Sequence, residues 1–406
     1  MRNKQIVICC LLVFTCSLLP ALDFGLVLDQ NADYGGYGSD GSFTYSGNAI
    51  PHVFTFLGDM SDLYISAGFQ AVFQDDEWAF VPELLRTELS VYPGNMEFKI
   101  GRVNYTDPLG FIADGLFDGA KILFDSEMGT VSAGAWYTGF LYKRRANILM
   151  TPADVDLYLC DLDYGDFTGT YFAPRRVAAA LGWEHLSLGA ASLSFPLQAW
   201  FTLLGQFDLS DEKEKLHSQY AIAKLTFPLD RYTVDVGGCF ELLQDDGDTK
   251  TAFAAEFGAS VLPPLSFPSR LSLLGRYTSG GIGDDSLVAF QPLTVKTQGE
   301  IYKAILSGVS MASLDYIIQL HRSFSMGITS SYFIRSDEKT FQGYPVKDAT
   351  SKGKFLGNEF FGRLLWNPLS DFQMNLGAGV FMPSLGNVET DADNSWRVEL
   401  NVVFSL

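Results

Sequence analysis

The last eleven residues of the chain alternate without a break. Trp396, Val398, Leu400, Val402, Phe404 and Leu406 occupy every second position, with Arg397, Glu399, Asn401, Val403 and Ser405 between them. Successive strand residues point to opposite faces, so this run predicts a strand with one apolar and one mostly polar face. The same period recurs. Leu63, Ile65, Ala67, Phe69, Ala71 and Phe73 alternate with Tyr64, Ser66, Gly68, Gln70, Val72 and Gln74; Met96, Phe98 and Ile100 with Glu97, Lys99 and Gly101. Tyr232, Val234, Val236 and Phe240 belong to a third such run, and Phe372, Met374, Leu376, Ala378 and Val380 to a fourth. In a soluble sandwich the apolar face is a core; in a membrane barrel it meets lipid and the polar face lines a lumen.

Connection lengths separate the two. Short turns at Pro93-Gly94-Asn95, Asp125 to Gly129, Pro228-Leu229-Asp230 and Asn367 to Asp371 alternate with long polar stretches. The long ones are Asn31 to Asn48, Tyr142 to Phe172, Ser279 to Lys296 and Ser336 to Gly357. Membrane barrels have this asymmetry, short on the periplasmic side and long outside; a sandwich has no reason for it. Strand and turn signals place about 18 strands, with 16–20 as the range. Their spans are 22–30, 48–58, 61–74, 82–92, 95–104, 118–125, 130–141, 174–185, 191–206, 217–227, 231–243, 251–262, 270–278, 312–321, 325–335, 358–366, 371–382 and 395–406. A strand within Thr297 to Met311 would upset the short/long order, so that stretch is expected to be a loop, helical or not, folded into the lumen. The fold class is thus all-β, a transmembrane antiparallel up-and-down barrel. Residues 22–406 form one domain, since no linker, charge block or repeat divides them.

The N-terminus adds an export route. Arg2 and Lys4 precede the apolar run Ile6 to Leu19, too short for a comfortable span, and Pro20-Ala21 offers a small residue for cleavage. Residues 1–21 therefore read as a signal peptide, with lipoprotein processing at Cys16 as the weaker alternative. After it no stretch of about 18 apolar residues occurs. Cys160 and Cys239 are the only cysteines beyond the leader, too few for a disulfide framework.

Charged residues make up only 18% of the chain, which is low for a soluble surface of this size, whereas Phe and Tyr total 33 and 18. The formal charge of −19 excludes nucleic acid as a partner, because phosphate binding needs clustered Lys and Arg. His52, His185, His217 and His321 are scattered, and H-E-x-x-H, G-x-S-x-G and P-loop patterns are absent, so neither an enzyme nor a cofactor is implied. The acidic stretch Asp154, Asp156, Asp161, Asp163 and Asp166 lacks EF-hand spacing and reads as a solvated external loop rather than a Ca²⁺ site.

Strand parity puts charge of both signs on the polar face: Arg86, Glu88, Glu97, Lys99, Lys121, Glu184, Asp235, Glu241, Glu256, Arg276, Asp315, Glu359, Arg363, Arg397 and Glu399. A packed core would hold these only if all were paired, so they argue for a wet lumen. Arg102, Asp107, Asp114 and Asp118 are candidates for a constriction whose opposed charges select ions. In a simpler reading Asp107-Pro108 and Asp118-Gly119 are turn chemistry. The candidate pore-lining set is Arg86, Glu97, Lys99, Arg102, Asp107, Asp114, Asp118, Lys121, Arg276 and Arg363.

Within this region Gly101-Arg102, then Asp114, then Asp118-Gly119 follow one another. That order resembles porin-type and alginate-export-type outer-membrane proteins, in which a strand ending in Gly-Arg leads through an acidic loop to the next strand. Val103 stands where a Gln is common, and basic lumen residues are too sparse for a polyanion. The C-terminal run likewise resembles the strand that outer-membrane barrels present to their assembly machinery, although the final residue is Leu406 rather than Phe or Trp. The resemblance implies a channel for small polar solutes in the outer membrane of a diderm bacterium, with lipid and assembly machinery as partners and room for a homo-oligomer. Two rival readings are a barrel acting through its external loops in adhesion or host contact, and a transporter of hydrophobic ligands.

Overall fold

A computed structural model describes residues 22–188, 196–210, 215–245, 247–281, 288–336, 354–383 and 393–406. The signal-peptide reading of residues 1–21 lies outside them. The chain forms β1 (Leu22–Tyr37), β2 (Asp40–Phe56), β3 (Ser61–Gln74), β4 (Glu77–Val91), β5 (Met96–Thr106), β6 (Asp114–Ser126), β7 (Gly129–Tyr137), β8 (Arg176–Leu188) and β9 (Leu197–Asp208). It continues with β10 (Leu216–Leu229), β11 (Tyr232–Asp245), β12 (Asp248–Val261), β13 (Ser269–Thr278), β14 (Val309–His321), β15 (Phe324–Arg335), β16 (Phe355–Leu369), β17 (Phe372–Met382) and β18 (Ser395–Ser405). Each strand pairs antiparallel with its neighbours in sequence, and β1 pairs with β2 on one edge and β18 on the other. The sheet is a closed up-and-down barrel of 18 strands. Closure matters physically, since a sheet edge in hydrocarbon would leave a row of backbone groups without partners. At the seam of the two termini, Leu26 N–H donates to the Leu406 carbonyl and Leu406 N–H to the Leu26 carbonyl.

The outer face is apolar along the strand centres, with Phe69, Phe257, Leu273, Leu314 and Leu400 exposed. Aromatic pairs band it at both ends. Tyr34–Trp396, Tyr45–Trp78, Tyr137–Phe140 and Phe253–Tyr277 lie toward the long loops, and Trp366–Phe372 toward the short turns. Such belts match the headgroup levels of a bilayer.

Two expectations change and a third holds. Asn31 to Asn48 is no loop: β1 and β2 run on in register to Tyr37↔Asp40 and turn at Gly38-Ser39, where Gly38 takes φ +54°. The stretch 142–172 is partly helical, holding α1 (Lys143–Ala146), α2 (Pro152–Leu159) and α3 (Phe167–Tyr171). Thr151 and Asp154 form a capping box around α2, with Pro152 at its first turn. The stretch 297–308 is a loop without helix, folded inward, with Tyr302, Ala304 and Leu306 buried. These inward segments carry the main hydrophobic core, which sits inside the barrel: Leu109, Phe111, Ile148, Phe290 and Tyr302 pack against wall residues such as Trp136, Tyr220 and Phe381.

Candidate functional site

Three segments enter the lumen from the long-loop end: Asp107–Ala113, the β7–β8 connection 138–175, and residues 288–308 of the β13–β14 connection. Each is fastened by acidic or basic side chains. Asp107 holds its own loop closed, its Oδ1 accepting from Leu109 N–H at 2.8 Å and Gly110 N–H at 3.0 Å, its Oδ2 from Ile112 N–H at 2.8 Å and Ala113 N–H at 2.9 Å. Burial pushes this carboxyl above the usual range, and the four N–H donors pull against it. Glu359 on β16 accepts from the N–H groups of Glu300, Ile301 and Tyr302 at 2.8, 2.9 and 2.9 Å. Glu241 on β11 accepts from Gln291 N–H at 2.9 Å.

Arg276 on β13 joins wall and loops. Its Nε donates to Glu256 at 2.8 Å and its Nη1 to Gln298 at 2.6 Å. Its guanidinium carbon lies 4.7 Å from the centroid of the Phe111 ring. Arg176, fully buried at the start of β8, donates to Asp154 of α2 at 2.7 Å and to Gln206 at 2.9 Å, and pairs with Asp208 at 3.3 Å. The segments also bind one another: Thr294 N–H donates to the Ile112 carbonyl, Val295 N–H to the Asn147 carbonyl, and Lys296 pairs with Asp114 at 2.9 Å. The acidic residues of 154–166 act in this fastening and in local caps. Asp163 accepts from Gly165 N–H, Asp166 from Gly169 N–H, and Asp161 pairs with Arg144. Among the described residues no group of three His, Cys, Asp or Glu is placed to hold a metal, and Cys160 and Cys239 are separate thiols.

The wall charges therefore fall into two sets, which corrects the argument that all of them face water. Glu88, Glu241, Glu256 and Glu359 are buried among partners. Others keep water contact. Arg86 and Lys99 flank Glu88 at 2.8 and 3.4 Å with 39% and 28% of their side chains exposed, Glu97 meets Lys99 at 3.2 Å, and Arg363 meets Asp315 at 2.6 Å with 34% exposed. Lys121 pairs in register with Lys99 across β5 and β6. Arg397 holds Asp33 and Glu399 at the closure of β18 on β1. Next to it Lys303, at φ +51°, has its ammonium pushed below the usual lysine range by burial and by the Arg397 guanidinium.

Arg102, Asp107, Asp114 and Asp118 do not converge. Arg102 lies three positions beyond Lys99, on the alternate face of β5, and binds Asp118 through two 2.8 Å bonds. Its Nη1 donates to the Leu84 carbonyl, and Nη2, which also serves Asp118, donates to the Phe140 carbonyl. Asp107 serves its own loop, and Asp114 meets Lys296. Among the described residues, chambers lie around the fastened segments. An outer one of about 1070 Å³ is bounded by Gln70, Trp78, Tyr142, Arg145 and Lys296. A smaller one of about 250 Å³ lies below Asp107, bounded by Lys121, Ser132, Trp136, Glu184 and Trp200. Parity pointed to Lys121 and Glu184. Nothing in the strand pattern pointed to Tyr142, Arg145 or Lys296, which lie on connections.

No protein-family model and no curated protein matches the sequence. Solved structures match the fold. Pseudomonas aeruginosa OccK2 (OpdF) superposes with a TM-score of 0.62 at 11% identity over 96% of this chain and 99% of that one. Pseudomonas aeruginosa OpdQ gives 0.61 at 11% over 96% and 99%. The outer membrane protein opdK from the same organism gives 0.60 at 13% over 96% and 99%. OccK2 is also known in complex with glucuronate. At such identities the likeness is one of fold.

Proposed function

We propose that this chain is an outer-membrane channel for small polar solutes or ions, exported to the outer membrane of a diderm bacterium after loss of residues 1–21 and acting as one barrel domain without catalysis. The observation that carries the reading is a closed 18-stranded barrel, apolar outside, whose inner wall keeps half-exposed charges of both signs beside the fastened loops. Barrels of 16–18 strands leave an aqueous lumen unless loops fill it. Here the loops fill part of it and leave a chamber on either side. Arg86, Glu97, Lys99, Lys121, Arg276 and Arg363 are the pore-facing members of the candidate set. Arg102, Asp107, Asp114 and Asp118 shape the loops around them.

The glucuronate complex of OccK2 supports a solute of that size, a small hydroxylated acid. Charge of both signs suits such a solute better than a polyanion such as alginate. The C-terminal strand is the element for the assembly machinery to read. The test is single-channel conductance of the refolded mature chain in planar bilayers under a salt gradient. Steady steps are expected, and Lys99→Glu should shift the reversal potential toward cation preference, more at low salt than at high. A folded barrel that gives no steps overturns the reading.

A further inference from the structure

The barrel wall is not continuous strand. β4 pairs with β5 only from Thr87↔Arg102 to Val91↔Phe98, although both strands run further toward the long loops. Above Thr87 one edge of β4 has no strand beside it. The carbonyls of Phe80, Pro82 and Leu84, alternate residues along that edge, are capped by side chains instead. The Tyr164 hydroxyl donates to Phe80, the Tyr171 hydroxyl to Pro82 at 2.7 Å, and the Arg102 guanidinium to Leu84. Pro82 fits this edge because a missing N–H costs nothing where no strand pairs. Glu83 adds an ion pair with Arg145 at 3.1 Å.

The gap is closed by the connection 138–175, which packs Tyr142, Leu162, Phe167, Tyr171 and Phe172 around Val81. Outside, Trp78, Phe80, Leu84, Phe140 and Tyr164 are exposed. Inside, Trp78, Phe80, Val81, Tyr142, Leu162 and Tyr164 also bound the outer chamber. Trp78, Phe80 and Tyr164 are thus exposed and also border the chamber, with no ladder hydrogen bonds between β4 and β5 there. A membrane strand runs about 9–11 residues. Counted from Val91 at the short-turn end, that length reaches Val81 to Glu83, within the capped stretch of β4.

We propose that this seam is a lateral portal through which a single-chain amphiphile passes between the outer leaflet and the chamber. Aromatic side chains at the seam suit the chain of such a molecule. Arg144, Arg145 and Lys296, with Asp114 and Asp161, supply charge of both signs along the chamber and suit a zwitterionic head. The inference rests on the membrane-barrel part of the proposed function, not on ion conduction.

The test uses the full mature chain in vesicles that enclose serum albumin, with a fluorescent lysophosphatidylcholine added outside. Entry is read as the fluorescence rise on albumin binding, and ion conductance is recorded on the same preparation. Phe80→Cys and Tyr164→Cys, in a chain with Cys160→Ser and Cys239→Ser, are joined by a bifunctional thiol reagent. Entry above that of protein-free vesicles is expected before linking and is lost after it, while conductance persists. A Tyr164→Phe, Tyr171→Phe variant, which keeps both rings but neither hydroxyl bond, is expected to admit the probe faster. Equal entry in linked and unlinked protein overturns the portal, as does absence of entry in an unlinked protein that conducts ions. Entry without conductance supports the portal and overturns the channel, and absence of both overturns the two together.

Discussion

A carboxylate that accepts four backbone N–H groups sets the shape of the loop it closes. Asp107 does this at the first inward segment, and of its four donors Gly110 N–H also reaches the Asp107 backbone carbonyl at 3.0 Å. Removing it strands buried donors, each of which would cost about 1–3 kcal/mol without a partner. Asp107→Ala should therefore release Leu109 and Phe111 from the core and make single-channel current noisier and larger. Asp107→Asn keeps one oxygen, and so two of the four bonds, and should fall between Ala and native in the same recording. Strand parity made most inward charges legible in the sequence. It did not reveal which of them are buried, because Glu241 and Glu359 meet Gln291 and the 300–302 turn, which lie 50 and 59 positions away. Arg102 stood out in the sequence as well, but for a constriction, whereas it caps the free edge of β4.

At the scale of elements, the alternation of lipid and lumen along each strand is strong enough to show every strand. Its boundaries are less legible where the hairpin leaves the bilayer. β1 and β2 continue through Asn31 to Asn48, a stretch rich in Gly, Ser and Asp that reads as loop because neither face there needs to be apolar. The helices of 142–172 had one local signal, Thr151-Pro152-Ala153-Asp154, which only gains meaning from the cap it forms. The connection 138–175 carries a titration. Burial pushes the Tyr171 hydroxyl from 10.0 up to about 12, with the Glu83 carboxylate adding to the rise. A raised folded value means that the folded state holds the proton longer. Between about pH 10 and about 12 the unfolded phenol has lost it and the folded one has not, so stability falls as pH rises through that window. Limited proteolysis of 138–175 should accelerate there, and Tyr171→Phe should flatten that component while weakening the seam at neutral pH.

For the whole molecule, wall and filling are separable in the chain. The wall is a closed ladder in which every strand pairs with its sequence neighbours, so its closure does not use the inward connections as links between distant strands. The filling comes from connections that contribute nearly half of the apolar core inside the barrel, so the lumen's width depends on loops as well as on strand number. If that division holds, shortening 290–305 to a Gly-Ser linker should leave an intact barrel that still migrates as a compact, heat-modifiable species. The deletion removes Phe290, Leu293, Tyr302 and Ala304 from the core, and with them the groups that Glu241 and Glu359 hold. Those carboxylates would then face water and add negative charge to a wider passage. Conductance should rise several-fold, toward that of an unfilled barrel of this strand number, and the reversal potential should move toward cations. A shortened chain that folds but conducts no more than the native one would place the narrowest point elsewhere, at Asp107–Ala113 or at the Lys99–Lys121 pair of the wall.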